Sequence, residues 1–232
     1  MPALVAGLTV TMLPKPRFNA PAEAPQASRV HFVLVSSHPR PITSSGVDVN
    51  GPAFRGIPLQ LTAGPLRIYG VDGTTTRYVV APGRYAFDFA NYAWPPRYVP
   101  SDKEFVYEEV AWAKEAGGML YVETAHDTYA RSSYGLNAYV NAISLKTRKL
   151  VWRSPALVAN ARDFVVAGDV IVSGYGFTDE PDYLYALDRR TGRVLDRLLL
   201  PNAPERIVLH GRTLDVDTYD HHVVVELRSG AA

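Results

Sequence analysis

The chain has 232 residues, of which 47% are hydrophobic, and 24 basic residues stand against 23 acidic ones. Such a chain buries roughly 70% of the surface that it exposes when unfolded, enough for one sizeable core or two small ones. The balanced charge argues against nucleic acid and anionic lipid as partners, and the absence of cysteine excludes disulfides, thiolate metal sites and cysteine nucleophiles.

The N-terminal stretch MPALVAGLTVTMLP is apolar but too short to span a bilayer, and it lacks a basic flank. Its Val, Leu and Thr content favours a β-strand or a poorly ordered end, and a signal-peptide remnant is the alternative. Residues 14–28 are rich in Pro and Ala and predict an extended tether. We therefore divide the chain into residues 1–28, a strand and tether, and a domain over residues 29–232.

The domain alternates short apolar runs with Gly, Pro, Asn and Asp, which is an all-β pattern. Three stretches align as a glycine turn followed by a strand: GGMLYV, GDVIVS and GRTLDV, from Gly117, Gly168 and Gly211. An apolar run precedes each stretch and a further strand follows it, so the unit is four antiparallel strands in roughly 45 residues. With a weaker copy before them, the units cover residues 57–90, 105–153, 161–200 and 204–228.

Four-stranded units at this spacing predict a β-propeller-like array of about four blades. Residues 109–114 have helical propensity, but their place in the repeat predicts a strand. The last unit supplies only three strands, whereas residues 29–37 form a strand without a unit. We predict that this strand, or residues 4–12, completes the terminal blade, and an array left open is the alternative.

A motif follows the second strand of the two middle units. The second unit matches Ala-x-Asp-x-x-Thr-Gly-x-x-x-Trp at Ala142, Thr147 and Trp152, with Ser144 and Arg148 in place of Asp and Gly. The third unit matches it at Ala186, Asp188, Thr191 and Gly192, with Asp196 in place of Trp. The pattern resembles the PQQ-like (WD40-like) β-propeller repeats, in which Thr-Gly makes the turn and Trp packs between blades.

The resemblance implies a fold more than an activity. The quinone-dependent dehydrogenases that share the repeat have eight blades and hold PQQ and calcium in a central funnel, so a chain of about four blades argues against PQQ. Many other members are envelope or secreted proteins that bind proteins and catalyse nothing. The resemblance therefore implies a non-catalytic, extracytoplasmic binding or scaffold protein with a protein partner.

The closing hairpin brings acidic residues and a histidine to one face of a strand pair. A two-residue loop at Asp220 and His221 would pair Tyr219 with His222 and gather the apolar residues on the other face. The polar face could bind calcium or zinc. Its candidate ligands are Asp215, Asp217, His222 and Glu226. A solvated or Arg-paired outer face is the alternative.

Two long hairpin loops, residues 125–137 and 173–183, join equivalent strands and should emerge at one end of the molecule. With a Trp in the Pro-rich linker before the second unit, they predict a protein-binding rim. Its residues are Tyr129, Arg131, Tyr134, Tyr175, Phe177 and Trp94. The alternative is that the loops are simply solvated, with the tyrosines packed on the blade edge and Trp94 holding the linker against the core. The competing function is an enzyme, a hydrolase or a quinone- or metal-dependent one, with its site in the loop funnel. The nearby His126, Asp127 and Ser132 lack any supporting hydrolase motif.

Overall fold

The computed structural model describes residues 8–25, 28–42, 51–70, 77–92, 108–126, 133–177 and 180–230. These residues form strands in four sheets, with a single 3₁₀ turn at Ala90–Tyr92. The predicted all-β, β-propeller-like array of four-stranded antiparallel units is thereby confirmed. Within the described residues, no helix has the length and apolar character needed to cross a bilayer.

Each sheet is built from consecutive strands, with one N-terminal strand added to the first sheet and one to the last. Sheet I contains β3 (Leu59–Ala63), β4 (Leu66–Tyr69), β5 (Tyr78–Ala81) and β6 (Tyr85–Asp88), with β1 (Val10–Met12) parallel to β6. Sheet II contains β7 (Glu109–Ala116), β8 (Met119–Ala125), β9 (Tyr139–Ser144) and β10 (Lys149–Arg153). Sheet III contains β11 (Phe164–Ala167), β12 (Val170–Phe177), β13 (Glu180–Asp188) and β14 (Val194–Leu199). Sheet IV contains β15 (Pro204–His210), β16 (Thr213–Thr218), β17 (His221–Ser229) and β2 (Val30–Pro39).

Apolar side chains on both faces of the middle sheets hold the array together. One core cluster joins sheets I and II, a second joins II and III, and a third joins III and IV. Fully buried side chains such as Leu120, Ile143 and Ile171 each contribute roughly 1.5–3 kcal/mol by leaving water. A fourth cluster lies on the far face of sheet I, where Phe54 and Ile57 bridge to each other and cover it.

Strand β2 completes the terminal blade, as predicted from the missing fourth strand. It pairs antiparallel with β17 from Val30, opposite Ser229, to Pro39, opposite His221. The other candidate, residues 4–12, has a different partner, because β1 pairs with β6 of sheet I. The strand prediction for residues 109–114 is also confirmed, since they lie within β7.

The second unit's Trp packs between blades, as the resemblance implied. Trp152 Nε1 donates a hydrogen bond of 3.2 Å to the carbonyl oxygen of Arg189 in the next sheet. A Cβ atom on Gly192 would lie 2.5 Å from the Trp152 ring. The third unit's Thr-Gly turn therefore needs glycine both for its φ of 73° and for the contact with the preceding blade.

The imperfect motif of the second unit still makes the same turn. In the third unit, Asp188 Oδ1 accepts a hydrogen bond of 2.9 Å from the backbone N–H of Thr191. In the second unit, Ser144 Oγ accepts one of 3.2 Å from the N–H of Thr147. Arg148 takes a left-handed φ of 57° where the motif has glycine. The serine thus replaces the aspartate as the acceptor that closes the turn.

Residues 8–25 are extended, but they pack on sheets I and II instead of forming a free tether. Leu13 is fully buried in the core between these sheets. Asn19 Nδ2 donates to the carbonyl oxygens of Arg153 and Ser154, both at 2.8 Å. Beneath this segment, the Arg153 guanidinium pairs with Glu108 at 2.5 Å, and its carbon lies 3.6 Å from the ring centroid of Tyr139.

The register predicted for the closing hairpin is wrong by two residues. His222 pairs with Asp217 instead of Tyr219, because the two-residue loop is at Tyr219 and Asp220. A hydrogen bond of 3.1 Å from the N–H of His221 to Thr218 Oγ1 closes that loop. Side chains alternate between the faces of a strand, so a shift of two residues leaves the polar and apolar faces unchanged.

Candidate functional site

A cavity of about 490 Å³ opens at the end of the molecule where the inner strands of sheets I and II begin. We call it the loop-end cavity. Sheet I contributes residues 58–61 of β3 and its approach, and sheet II contributes residues 109–111 of β7. Asn160, Arg162 and Phe177 close the side toward sheet III, and Ala125 and His126 lie at the end of β8. Its size is within the range of sites that hold small molecules or side chains.

Polar groups on the cavity wall are held in place by hydrogen bonds to neighbouring elements. Gln60 Nε2 donates to Glu109 Oε2 at 3.3 Å and so joins the inner strands of sheets I and II. His126 Nε2 lies 2.8 Å from Ser133 Oγ, and both residues are buried. The fully buried Ser133 hydroxyl does not line the cavity, so His126 is fixed by a structural contact there.

The sheet III side of the cavity is organised by two backbone contacts. Asn160 exchanges two hydrogen bonds with the backbone of Gly176, at 2.8 and 3.0 Å. Arg162 is exposed and adopts a left-handed φ of 53°, which is uncommon for a residue with a side chain. Its N–H donates a hydrogen bond of 2.9 Å to Glu123 Oε1. These contacts determine where the Arg162 side chain leaves the backbone.

Two carboxyl groups near this end of the molecule titrate above the usual range. Burial raises the pKa of Glu123 to about 8, against the smaller effect of the Arg162 N–H. Burial also raises the pKa of Asp182 to about 6. Asp182 lies against Gly176, and Gly176 directly precedes Phe177, which lines the cavity. These two carboxyl groups therefore lose their protons at higher pH than an ordinary carboxyl group does.

A second cavity of about 570 Å³, the turn-end cavity, lies at the opposite end of the same inner strands. Sheets II, III and IV line it with their inner strands, and sheet I closes it with the turn between β3 and β4. Along β7 the two cavities are consecutive, since residues 109–111 line the first and residues 112–115 line the second. Arg162 and Asp163 likewise lie on either side of the junction. We call the two together the axial cavities.

Two residues of the predicted protein-binding rim are accessible in the structure. Phe177 lines the loop-end cavity, and Tyr134 is 61% exposed on its loop. Tyr175 is a correction, because its ring is buried in the core between sheets II and III and its hydroxyl hydrogen-bonds to Glu180. It offers no surface to a partner. The other rim residues lie outside the described residues, namely Trp94, Tyr129 and Arg131, as do Asp127 and Ser132.

Three of the four predicted metal ligands lie together, because His222 contacts both Asp217 and Asp215, with 3.5 Å between His222 Nε2 and Asp215 Oδ1. The two aspartates also pair with other side chains, Asp215 with His210 and Asp217 with Arg206. Asp217 Oδ1 lies 2.8 Å from His222 Nδ1, and Asp217 Oδ2 lies 3.4 Å from Arg206 Nη1. Glu226 pairs separately with Arg228 at 2.7 Å. Within the described parts of the chain, no three His, Asp or Glu side chains are grouped so that they could hold a metal ion. The contacts of Asp217 and Glu226 match the Arg-paired alternative for this face, whereas Asp215 contacts two histidines.

The outer edges of sheets II, III and IV each carry a β-bulge. The register skips Val151 in β10, Leu195 in β14 and Val35 in β2. Val151 and Val35 are 56% and 60% exposed. A bulge breaks the even spacing of backbone groups that an added strand would need, and β2 also ends in Pro39, which has no N–H to donate. These edges are therefore poor templates for a partner strand.

The wall of the loop-end cavity was not predicted from the sequence, although the strands that carry it were. Gln60, Glu109 and Arg162 stand in or just before the first strand of their units, and in a propeller-like array those strands meet at the axis. Their position within the repeat was the available signal. The residue types alone gave no signal, because Gln, Glu and Arg are common on protein surfaces.

Comparisons with known proteins leave the family open. No protein-family model matches the chain, and no curated protein matches it. Similar solved structures include the computationally designed protein Ika4, at 10% identity over 73% of this chain and 88% of that one, with a TM-score of 0.40. BamB from Moraxella catarrhalis is 12% identical over 74% of this chain and 70% of its own, with a TM-score of 0.36. The designed Ika8 is 12% identical over 72% and 57%, also with a TM-score of 0.36.

Likenesses of this strength carry no conclusion about activity or partners. Membership of the PQQ-like repeat family, inferred from the motif around Trp152 and Gly192, stays a prediction.

Proposed function

We propose that the protein is a non-catalytic binding protein that engages a segment of another protein at the loop-end cavity. The observation that carries the proposal is the cavity itself, a concave space on a scaffold of rigid strands with apolar and polar groups on its wall. Phe177 supplies an aromatic surface, and Glu109 and Arg162 supply charges of both signs. Such mixed walls are typical of sites that take a side chain with a polar end.

The bulged outer edges favour this end of the molecule over a blade edge. An added strand at β2 or β10 would have to bridge the extra residue at Val35 or Val151. A scaffold role and an extracytoplasmic location remain predictions of the repeat resemblance, and both are compatible with a partner bound at the axis.

The second candidate is an enzyme that uses the same cavity. It is favoured by one observation, that Glu109 and His126 both line the wall and are both able to transfer protons. Against it, the described lining residues include no Ser, Thr, Cys, Lys or Tyr, and both Glu109 and His126 are already hydrogen-bonded, to Gln60 and Ser133. We therefore place binding before catalysis.

Affinity purification of the tagged full chain from its source tests the proposal when three forms are compared. Ala111→Leu fills the cavity, because Ala111 is the bulge residue of β7 and lines its wall. Val151→Arg is the matched control on an outer edge. We expect a stoichiometric partner with the wild type and with Val151→Arg, and a loss of ~10-fold or more with Ala111→Leu.

The opposite pattern, loss only with Val151→Arg, would overturn the proposal in favour of a blade edge. Thermal unfolding of each form verifies that it is folded. If Ala111→Leu is unstable, Phe177→Ala probes the same wall by removing surface instead of adding it.

A further inference from the structure

Glu123 is a fully buried carboxyl group, and the packing of the repeated sheets does not require a carboxyl group at its position. It stands on β8 opposite Trp112 of β7 and Val140 of β9. Counted from the turn that precedes the second strand, its counterparts in sheets I, III and IV are Gly70, Gly174 and Asp217. The packing of the sheets therefore does not depend on a carboxyl group here, since glycine fills the same place in two neighbouring units.

The two oxygens of the Glu123 carboxyl have different surroundings. Oε1 accepts the hydrogen bond of 2.9 Å from the N–H of Arg162. Oε2 is buried and has no hydrogen-bond partner among the described residues. A buried carboxylate oxygen without a partner is costly, whereas a protonated carboxyl carries no net charge into the core. The geometry thus favours the neutral form.

Arg162 connects this group to the axial cavities. Its left-handed φ of 53° is held by the hydrogen bond to Glu123, and its side chain lines the loop-end cavity. The next residue, Asp163, lines the turn-end cavity and ties sheet III to sheet IV by accepting the N–H of Ile207 at 2.9 Å. A change in the protonation of Glu123 therefore acts on the backbone turn at Arg162 and Asp163, which lies where the two cavities meet.

We propose that Glu123 is a buried proton-binding residue that positions the Arg162 turn, so that losing its proton opens this turn to water and changes the loop-end cavity. The ionised carboxylate needs solvation for Oε2, and the exposed Arg162 turn is the described segment beside it that already meets solvent. The inference concerns the shape of the cavity and does not depend on what the cavity binds.

Burial, more than the neighbouring charges, sets the pH at which Glu123 loses its proton. The charged groups that face it are Arg162 and Asp163, and Asp163 is itself faced by Lys114 and Arg206. Burial has the largest effect and Asp163 adds to it, so the pKa of Glu123 is raised to about 8 despite Arg162. In the unfolded chain the pKa is close to 4.5, so the folded state holds more protons between these values. The free energy of unfolding must then fall as pH rises through that window.

Two measurements on the full chain test the proposal without any ligand. The ¹³C shift of the Glu123 carboxyl, followed by NMR in the wild-type protein, should titrate between about pH 7 and about pH 9. The hydrogen-exchange protection factor of the Arg162 amide should fall ~10-fold or more across the same titration. Glu123→Gln should remove that pH dependence, and Glu205→Gln, at an exposed carboxylate, should leave it unchanged.

A Glu123 carboxyl that titrates near its ordinary value would overturn the proposal, and so would an Arg162 protection factor that is constant or rises with pH. Persistence of the dependence in Glu123→Gln would assign it to another group and have the same result. The NMR titration needs no variant, so it decides the question even if Glu123→Gln does not fold. Because neither readout involves a partner, failure here is distinguishable from failure of the proposed binding function.

Discussion

Asp196 Oδ2 accepts a hydrogen bond of 2.6 Å from the backbone N–H of Phe32. Asp196 stands in β14 of sheet III, at the motif position where the repeat has Trp, and Phe32 stands in β2, the N-terminal strand of sheet IV. The N–H of Phe32 points away from its partner strand β17, so it would otherwise be an unpaired donor at the sheet edge. The departure from the motif thus attaches the N-terminal strand to the neighbouring blade.

Replacing this carboxylate should weaken the attachment. We expect Asp196→Ala to lower the free energy of unfolding by about 1–2 kcal/mol, because a charge-assisted hydrogen bond is lost and a half-buried N–H loses its partner. Asp196→Asn keeps an acceptor oxygen and should cost less than half as much. Urea unfolding followed by circular dichroism measures both, and equal losses in the two variants would contradict the role of the hydrogen bond.

The contact between Trp152 and Gly192 predicts a coupled pair. Gly168→Ala should cost about 1–2 kcal/mol from the left-handed backbone alone, since nothing lies within 4 Å of the new Cβ. Gly192→Ala should cost at least ~1 kcal/mol more, because its Cβ also meets the Trp152 ring. In a Trp152→Ala background that excess should vanish. A double-mutant cycle measured by urea unfolding checks this, and an undiminished excess would exclude the ring as its cause.

Removing β2 should unfold sheet IV. A chain that starts at residue 38 loses most of β2, including the buried Phe32, and leaves the edge of β17 without its partner. We expect no cooperative unfolding transition for sheet IV in this chain. A chain that starts at residue 26 keeps β2 but loses Leu13 and the Asn19 contacts, so it should fold with stability reduced by a few kcal/mol. Full stability of the shorter chain would refute the role of β2.

The polar face of sheet IV should not bind divalent ions. Asp217 is already engaged by His222, Arg40 and Arg206, and Glu226 is engaged by Arg228. We therefore expect titration calorimetry with calcium and with zinc to show no saturable heat that Asp217→Asn abolishes. Such a heat would restore the metal site predicted from the residue types.

The same carboxylate should contribute to stability in a definite pH range. Burial would raise the pKa of Asp217, but the hydrogen bond from His222 and the charge of Arg40 together lower it below the usual 3.8. A lowered folded-state pKa gives stability that is present above the ordinary value and is lost as pH falls toward the folded value. Asp217→Asn should flatten this acid limb by up to ~1 kcal/mol. Unfolding curves for both proteins at several acidic pH values measure the difference.

The sequence predicted the architecture well where periodicity and counting carried the information. The glycine turns before Met119, Val170 and Thr213 located the second strand of three units, and a missing fourth strand pointed to β2. The hairpin register was missed because a shift of two residues keeps Leu214 and Val216 on the apolar face. The two registers are distinguished by the Thr218 side chain, which closes the turn. The hydrophobic pattern of the sequence carries no information about that hydrogen bond.

The candidate site was harder to predict because it depends on which residues meet at the axis. Phe177 was found as a loop aromatic, but Tyr175, two positions earlier, was wrongly placed on the surface. Both faces of β12 are buried, so alternation along that strand does not separate inside from outside. Both faces of β8 are buried as well, and Glu123 was missed because a carboxyl group in a strand is expected to face solvent.

The pairing of β2 with β17 also bears on how the molecule reaches its fold. Sheets I to III each contain a run of strands that are consecutive in the chain, and they can form as those segments leave the ribosome. Sheet IV cannot, because Val30 must wait for Ser229, nearly the whole length of the chain away. Such a distant pairing slows folding, so β2 stays unpaired throughout synthesis and is the segment most exposed to aggregation and to chaperones before the last strand arrives.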